Sequence, residues 1–348
     1  MVCAGQADPP REFALESTGG PLSALQGASI LVTGATGSFG KVFLDRALRT
    51  LDPARLVVFS RDELKQQELR GHLGEDERLR WFIGDVRDRR RLERAMYGIT
   101  HVVHAAALKQ VDTAEYNPFE YIQTNVMGSQ NVIEAALETG VEQVVALSTD
   151  KASSPINLYG ATKLCADRLF ISANHYAAGH PTRFSVVRYG NVMASRGSVI
   201  PLFRRLAAAG QSLPITDKRM TRFGITIDAA VDFVISSFDR MHGGELFVPR
   251  IPSMRIVDLV EAIAPGSPTH EIGIRPGEKL HEELIASDDA RRTKLIGDRF
   301  VVEPHVAGWG YVSPADGQPV PEEFAYRSDS NPDWLSVDQL RELVAEAS

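Results

Sequence analysis

The chain has 348 residues, of which 43% are hydrophobic and 24% charged, a balance that supports a folded core and excludes global disorder. Its formal net charge of −7 argues against nucleic acid or an anionic membrane surface as a partner. The two cysteines, Cys3 and Cys165, are too few for a disulfide framework or a CxxC metal site.

No apolar run approaches the ~20 residues that a transmembrane helix needs, and the N-terminus lacks the basic-then-apolar pattern of a signal peptide. We therefore expect a cytoplasmic protein with no membrane partner, in which residues 1–24 form a flexible lead-in. The nine histidines show no ligand spacing, so no metal site is predicted.

Short apolar runs rich in β-branched residues recur along the first half of the chain and predict strands that are buried on both faces. Longer amphipathic segments separate them, and this alternation predicts an α/β fold with a doubly wound parallel sheet. The predicted strands are 29–32, 55–59, 80–83, 101–104, 143–147 and 184–187. The predicted helices are 41–49, 62–72, 90–97, 119–139 and 158–176.

The pattern changes after residue 191, where seven prolines crowd the stretch up to residue 276 and the predicted elements become short. This change predicts a smaller C-terminal lobe that folds against the first domain and supplies a substrate pocket. The predicted division is 25–190 with 226–249 for the domain, 191–225 with 250–330 for the lobe, and 331–348 for a terminal helix.

A glycine-rich loop follows the first predicted strand directly and leads into a predicted helix, with three glycines spaced three residues apart. Glycine allows the backbone to turn sharply and approach a pyrophosphate, and the free N–H groups at the start of the helix favour the anion. A Walker A loop is excluded because its GxxxxGK[ST] spacing is absent. The pattern thus predicts a dinucleotide site of the Rossmann type. Its predicted residues are Gly34, Thr36, Gly37, Ser38, Phe39 and Gly40.

The residues after the second predicted strand indicate which dinucleotide binds. An acidic residue there would hold the ribose 2′-hydroxyl of NAD, whereas this chain has Ser60 and Arg61, with Lys65 one helical turn further on. Because a guanidinium suits a 2′-phosphate, we expect NADP more than NAD, although Asp62 would also suit a ribose. The other predicted cofactor contacts are Asp85, Val86, Ala105, Ala106, Ala107, Lys109, Thr124 and Val192.

A second group of polar residues follows the fifth predicted strand. Tyr159 and Lys163 are four residues apart and therefore share one face of a helix. The Lys163 ammonium is expected to lower the pKa of the phenol so that it takes a proton from a sugar hydroxyl, with Thr149 bonded to the same oxygen. Asp150 and Lys151 come next to Thr149, and this clustering favours an acid–base pair over a solvated ion pair.

These motifs, TGxxGxxG followed by YxxxK, resemble those of the extended short-chain dehydrogenase/reductase family, which joins a Rossmann domain to a smaller nucleotide-sugar-binding lobe. Over residues 25–304 the chain is more narrowly similar to the inverting UDP-N-acetylglucosamine 4,6-dehydratases of pseudaminic acid synthesis. The segments that carry this similarity are 148–152, 157–163, 188–192, 251–254 and 275–284.

The resemblance implies that UDP-N-acetylglucosamine is converted to UDP-2-acetamido-2,6-dideoxy-β-L-arabino-hexos-4-ulose, as a first step of pseudaminic acid or related surface-glycan synthesis. Tyr159 would take the C4-hydroxyl proton while hydride passes to bound NADP, which makes H5 acidic. Lys151, kept partly neutral by burial and by Lys163, would remove H5, and Asp150 would protonate the departing C6 hydroxyl before hydride returns to C6. The resemblance also implies a homo-oligomer, either a dimer or a hexamer.

Substrate contacts are predicted mainly in the smaller lobe, where arginines suit the diphosphate of a uridine nucleotide. One position departs from the resemblance, because Gly224 stands where a tryptophan is expected, and this is expected to alter packing near the sugar pocket. The predicted substrate contacts are Lys109, Lys151, Asn191, Arg222, Arg275 and Glu278.

Three alternatives remain open. A retaining dehydratase or a nucleotide-sugar 4-epimerase would use the same fold, although an epimerase has no need of the Asp150–Lys151 pair. A non-catalytic NADP-binding sensor would need neither that pair nor Tyr159 and Lys163. A serine hydrolase is not expected, because no serine lies in a GxSxG motif.

Overall fold

A computed structural model describes residues 23–177, 179–193, 199–306 and 308–346, so residues 1–22 of the predicted lead-in lie outside the described part. The helices are α1 (Ser38–Thr50), α2 (Glu63–Leu73), α3 (Arg89–Met96), α4 (Val111–Tyr116), α5 (Pro118–Tyr121), α6 (Gly128–Thr139), α7 (Leu158–Tyr176), α8 (Val199–Ala208), α9 (Ile227–Phe238), α10 (Ile256–Ile263) and α11 (Val337–Glu346).

The strands are mostly short and are more numerous in the second half of the chain. They are β1 (Ser29–Thr33), β2 (Arg55–Ser60), β3 (Leu79–Ile83), β4 (His101–His104), β5 (Gln143–Thr149), β6 (Arg183–Tyr189), β7 (Asn191–Val192), β8 (Leu213–Ile215), β9 (Thr221–Ile225), β10 (Leu246–Pro249), β11 (Ser253–Arg255), β12 (Thr269–Glu271), β13 (Glu283–Ile285), β14 (Thr293–Ile296), β15 (Arg299–Val302), β16 (Gln318–Pro319) and β17 (Tyr326–Arg327).

The large sheet confirms the predicted fold class. Its strands lie in the order β16-β14-β15-β10-β6-β5-β4-β1-β2-β3, and the seven from β10 to β3 are parallel. The order 3-2-1-4-5-6 within it is that of a Rossmann sheet, whose ligands bind at the carboxyl ends of the strands. Helix α1 packs against α9, whereas α6 packs against α3 and α7. The central strands are buried on both faces, as all four residues of β4 illustrate, whereas the edge strand β3 is partly exposed.

The second half of the chain forms small sheets beside the large one. They are β11-β9-β7, β12-β8 and β13-β17, and two small apolar clusters from α8, α10 and α11 pack with them. Strands β14 and β15 differ from the predicted division, because they extend the large sheet as antiparallel strands. Phe300 and Val301 of β15 join the main core because β15 pairs with β10. Strands β14 and β15 therefore belong to the large sheet and not to the lobe.

The predicted helix over 119–139 is interrupted. A π-helical segment, Ile122–Met127, lies between α5 and α6. Within it the Asn125 carboxamide accepts a hydrogen bond from the Leu108 N–H (2.8 Å) and donates to the Leu108 carbonyl (2.9 Å) and to Thr162 Oγ1 (3.0 Å). One side chain therefore connects the loop after β4 to helix α7. A π turn of this kind is often associated with a functional site.

Helix α7 begins against the turn that follows β5. Asn157 caps the helix by accepting a hydrogen bond from the Gly160 N–H at 2.7 Å. A Cβ atom at Gly160 would lie 2.1 Å from the carbonyl oxygen of Lys151, so the helix approaches this turn as closely as the backbone permits.

A buried ion pair holds the same helix to the sheet. Asp167 of α7 accepts from Arg188 of β6 at 2.9 Å and from the Ser148 hydroxyl of β5 at 2.7 Å. Arg188 also donates to the Leu284 carbonyl at 3.0 Å. Because a buried charge is stable only when it is paired and hydrogen-bonded, this network fixes α7 relative to β5 and β6.

The described residues show neither a membrane-spanning helix nor a cluster of metal-ligating side chains. In this part of the chain no helix is long and apolar enough to cross a membrane. The same residues contain no group of three or more histidines, cysteines, aspartates or glutamates arranged to hold a metal ion.

The contact at Gly160 leads to a stability prediction. We expect Gly160→Ala to lower the free energy of unfolding by about 1–3 kcal/mol, because the methyl group must displace the Lys151 backbone. Urea denaturation followed by circular dichroism measures this. Gly71→Ala in α2 is the matched control, since nothing lies within 4 Å of its Cβ and alanine favours a helix. Equal stability changes in the two variants would contradict the contact.

Candidate active site

One cavity of about 910 Å³ lies at the carboxyl ends of the parallel strands, between the large sheet and the small sheets. Its size is near the upper end for small-molecule sites. The predicted site residues that line it are Gly34, Thr36, Gly37, Ser38, Phe39, Gly40, Ser60, Arg61, Lys65, Val86, Ala105, Ala106, Ala107, Lys109, Thr124, Thr149, Lys151, Tyr159, Lys163, Asn191, Val192, Arg222, Arg275 and Glu278.

Two predicted residues do not line the cavity and instead contact residues that do. Asp85 lies 3.5 Å from the Arg61 guanidinium and also pairs with Arg87 at 2.8 Å. Asp150 is fully buried and lies 3.0 Å from the ammonium of Lys151. Each aspartate therefore pairs with a cation that lines the cavity.

The glycine loop at one end of the cavity fits a dinucleotide. A Cβ atom at Gly34 would lie 2.8 Å from the backbone nitrogen of Ala106, and one at Gly40 would lie 2.5 Å from the Cα of Ala35. Gly37 is the N-cap of α1 and offers no side chain to the first-turn N–H groups, which suits an anion. The buried hydroxyl of Thr124 finds no hydrogen-bond partner within the described residues, as expected for a ligand contact.

The cations predicted to select NADP are at the same end. Arg61 and Lys65 both line the cavity, and about half of each side chain is exposed. Asp62 caps helix α2 by accepting from the Lys65 backbone N–H at 3.0 Å, and this bond lowers the pKa of its carboxyl. Its carboxylate also lies 3.0 Å from the Lys65 ammonium. The Asp62 carboxylate therefore already caps α2 and pairs with Lys65, which argues against Asp62 as a ribose ligand.

The hydroxyl groups at the other end of the cavity come from β5 and α7. Burial raises the pKa of Tyr159 to about 12, while the positive charge of Lys151 and a hydrogen bond with Thr149 act in the opposite direction. Lys163 donates to the Leu147 carbonyl at 2.7 Å, and burial lowers its pKa. The effect of Lys163 on the pKa of the phenol stays a prediction. Lys151 lies in the turn against which α7 packs, and its positive charge favours the phenolate.

The charge of Lys151 also differs from the expectation of a partly neutral amine. Burial lowers its pKa, but the carboxylates of Asp150 and Glu282 raise it by more, so that the net shift is upward. Their oxygens lie 3.0 Å and 3.4 Å from Lys151 Nζ. Lys151 is therefore an ammonium at neutral pH in this structure. Glu282 was missed because it is 131 positions from Lys151, although it lies in the 275–284 segment that carries the resemblance.

The lobe side of the cavity is held by Arg222. Its guanidinium donates to the carbonyls of Thr221 (2.8 Å) and Leu280 (3.1 Å) and lies 3.4 Å from Glu278 and 3.7 Å from Glu282. Four groups of the protein thus already contact the Arg222 guanidinium. Of the two predicted diphosphate ligands, Arg275 is therefore the better candidate.

Gly224 does not line the cavity. A Cβ atom there would lie 3.4 Å from Met193 Sδ and 3.5 Å from a methyl group of Leu335. Met193 is itself a cavity residue, so an indole at position 224 would have to displace it. The predicted effect of this position on the pocket is therefore indirect and passes through Met193.

Residues not predicted as ligands also line the cavity. They include Gln110, Asp112, Ser148, Tyr189, Lys279 and Glu282. Lys279 donates to the Ser153 carbonyl at 2.6 Å, and burial lowers its pKa. Only the resemblance of the 275–284 segment gave a signal for the last two, and it did not distinguish which side chains face inward.

Known proteins resemble this chain along most of its length. It is 50% identical over 326 residues to a UDP-N-acetylglucosamine 4,6-dehydratase (inverting) of Campylobacter jejuni, covering 91% of this chain and 97% of that one. It is 41% identical over 279 residues to a UDP-glucose 4-epimerase of Rickettsia canadensis, covering 78% and 82%.

Solved structures agree on the fold. The X-ray structure of Pen from Bacillus thuringiensis matches with a TM-score of 0.84 and 37% identity, over 93% of this chain and 98% of that one. The dTDP-glucose 4,6-dehydratase DesIV from Streptomyces venezuelae, solved with NAD bound, matches with a TM-score of 0.64 and 25% identity, over 72% and 86%. The polysaccharide biosynthesis protein family matches residues 30–304. The chain is therefore a member of the polysaccharide biosynthesis protein family, within the extended short-chain dehydrogenases/reductases.

Proposed function

We propose that this protein is a C5-inverting UDP-N-acetylglucosamine 4,6-dehydratase that works with bound NADP. The observation that carries the proposal is the buried Asp150–Lys151 pair, which lies beside Tyr159 in a cavity that also contains the glycine loop. The name and the 50% identity of the Campylobacter relative support the same reaction. The product would be UDP-2-acetamido-2,6-dideoxy-β-L-arabino-hexos-4-ulose.

The first step assigned to the protein is proton removal from the C4 hydroxyl. Held by the glycine loop, bound NADP would supply the reversible hydride acceptor that oxidation at C4 and reduction at C6 require. Tyr159 would take the hydroxyl proton as the phenolate, the form that the Lys151 charge and the Thr149 hydrogen bond favour and that burial opposes. Thr149 would also hold the phenol oxygen in place. Lys163 and the glycine loop would bind the cofactor, with Arg61 and Lys65 at its 2′-phosphate.

The elimination step requires a base for H5 and an acid for the C6 hydroxyl. Lys151 and Asp150 are hydrogen-bonded at 3.0 Å, so a proton that moves from the ammonium to the carboxylate leaves a neutral amine beside a carboxylic acid. The amine would remove H5, which the C4 ketone acidifies, and the acid would protonate the departing hydroxyl. The net charge of the pair does not change, but the raised pKa of Lys151 disfavours the neutral amine, so this exchange contributes to the barrier of the elimination.

The substrate would extend from this pair towards the lobe. Asn191, Arg275 and Glu278 line that side of the cavity and are proposed to contact the sugar nucleotide, together with Lys109 and Arg222. The glycine loop and these lobe residues line the same cavity, which supports binding of a dinucleotide and a sugar nucleotide next to each other.

Assembly and pathway are further parts of the proposal. The side chains of Tyr116, Phe119 and Met127 lie in consecutive helical segments and are more than half exposed. Exposed apolar clusters of this kind mark contact surfaces, which supports a homo-oligomer, a dimer or a hexamer. We place the product in pseudaminic acid or related surface-glycan synthesis on the resemblance alone.

A nucleotide-sugar 4-epimerase is the second candidate, because the Rickettsia relative carries that name at 41% identity. An epimerase also oxidises C4 but removes no water, so it has no use for a buried acid–base pair. A retaining dehydratase would use such a pair and would differ only in the face from which C5 is reprotonated.

The role of Lys151 is tested by substitution. We expect the purified protein with UDP-N-acetylglucosamine and NADP to form a product with a C6 methyl group, detected by proton NMR. Lys151→Met should slow methyl formation by about 10²–10⁴-fold, because the base for H5 is lost. Lys218→Met, an exposed lysine outside the cavity, should keep the wild-type rate. A wild-type protein that forms only the galactosamine epimer would contradict the dehydratase proposal.

Cofactor choice is tested at the rim of the cavity. Arg61→Ala should weaken NADP binding about 10- to 100-fold, the worth of a charge-assisted hydrogen bond, and should change NAD binding little. Isothermal titration calorimetry with each dinucleotide measures both. Arg70→Ala is the control, since Arg70 is an exposed arginine of α2 that pairs with Glu75. Equal weakening of NAD and NADP would show that Arg61 does not read the 2′-phosphate.

A further inference from the structure

Glu282 brings a third charge to the Asp150–Lys151 pair from a distant part of the chain. Its side chain is almost fully buried, lines the cavity, and places Oε1 3.4 Å from the ammonium of Lys151. Its other oxygen, Oε2, is buried and has no hydrogen-bond partner among the residues that the structure describes. Burial removes the hydration of this carboxylate, which costs free energy unless a neighbouring positive charge compensates it.

The backbone of Glu282 is held firmly in place. Its N–H donates to the hydroxyl oxygen of Ser328 at 2.9 Å, and its carbonyl accepts from the Ser328 N–H at 2.9 Å. The Ser328 hydroxyl is also 2.7 Å from that of Thr221 in β9. Three segments of the chain therefore determine where the Glu282 carboxylate lies.

We propose that Glu282 is a positioning residue: it holds the Lys151 amine against Asp150 and sets how tightly that amine keeps its proton. This inference rests on the proposed dehydratase function and adds to it a residue from outside the β5–α7 motifs. It also makes the acid–base pair depend on the folding of the 275–284 segment against the large sheet.

All the charges around Lys151 bear on this assignment. Asp150 lies on the same turn and Glu282 comes from a distant segment, so two carboxylates contact the ammonium. Arg222 of β9 and Lys279 oppose them, and Arg222 shares Oε1 of Glu282 at 3.7 Å. The phenol of Tyr159 faces Lys151 from α7.

Loss of the Glu282 charge therefore leaves one carboxylate against two cations. With less negative charge beside it, the Asp150–Lys151 pair takes up its second proton only at lower pH. The singly protonated pair that elimination requires therefore persists to lower pH. Since an opposite charge within about 4–6 Å shifts a pKa by about 1–3 units, the effect should be measurable.

The test compares the pH dependence of kcat for methyl formation in the wild type and in Glu282→Gln. We expect the acidic limb of the profile to move to lower pH by about 1–3 units, with KM changed less than kcat. Glu283→Gln removes the same charge from the next residue, whose carboxylate accepts from the Ser153 and Ser154 hydroxyls instead. That control should leave the limb where it is.

Two further variants keep the test decisive. Glu282→Asp retains the charge at a greater distance and should move the limb in the same direction by a smaller amount, even where Glu282→Gln fails to fold. In a Tyr159→Phe background, the pH dependence of Lys151 acetylation by acetic anhydride, followed by mass spectrometry, should shift with Glu282→Gln without any turnover.

The outcomes separate this inference from the proposed function. A wild-type protein that forms no methyl product refutes the dehydratase function, while the labelling shift would still support the link between Glu282 and Lys151. A wild-type protein that turns over, with unchanged limbs and unchanged labelling in the Glu282 variants, overturns the inference.

Discussion

The contact between helix α7 and the turn after β5 determines where the chemical groups of the site lie. Gly160 has no side chain, so the helix rests on the carbonyl of Lys151, and Tyr159 reaches the hydroxyl of Thr149. The buried pair of Asp167 and Arg188 holds the rest of the helix to β5 and β6. A backbone contact this close leaves little freedom for the phenol or the amine, which is the condition for efficient proton transfer.

A chain of buried charges then joins this motif to the second half of the molecule. Asp150, Lys151, Glu282 and Arg222 alternate in sign, with successive separations of 3.0, 3.4 and 3.7 Å. Each charge is stable in the interior because its neighbours compensate it, and loss of one member leaves the next uncompensated. The turn after β5 and the lobe side of the cavity therefore depend on each other electrostatically.

Sequence patterns predicted those features of the site that are formed by residues close together in the chain. Helix α7 has its predicted bounds. One cavity is lined by the glycine loop, by residues at the ends of the parallel strands, and by Tyr159 and Lys163. The π-helical segment and the roles of Glu282 were not predictable in this way. Both depend on partners far along the chain, and a charged residue in a loop carries no periodic signal. The charge of Lys151 was misjudged because the adjacent Asp150 and the distant Glu282 both raise its pKa.

The most direct test of the account is proton NMR of the reaction with UDP-N-acetylglucosamine and NADP in deuterated water. If the Asp150–Lys151 pair removes H5 and C5 is reprotonated from the opposite face, the product carries a C6 methyl group, deuterium at C5 and the coupling pattern of an L-arabino ring. A methyl product with the original C5 configuration would contradict inversion. A galactosamine product that keeps its C5 hydrogen would contradict the role of the pair altogether.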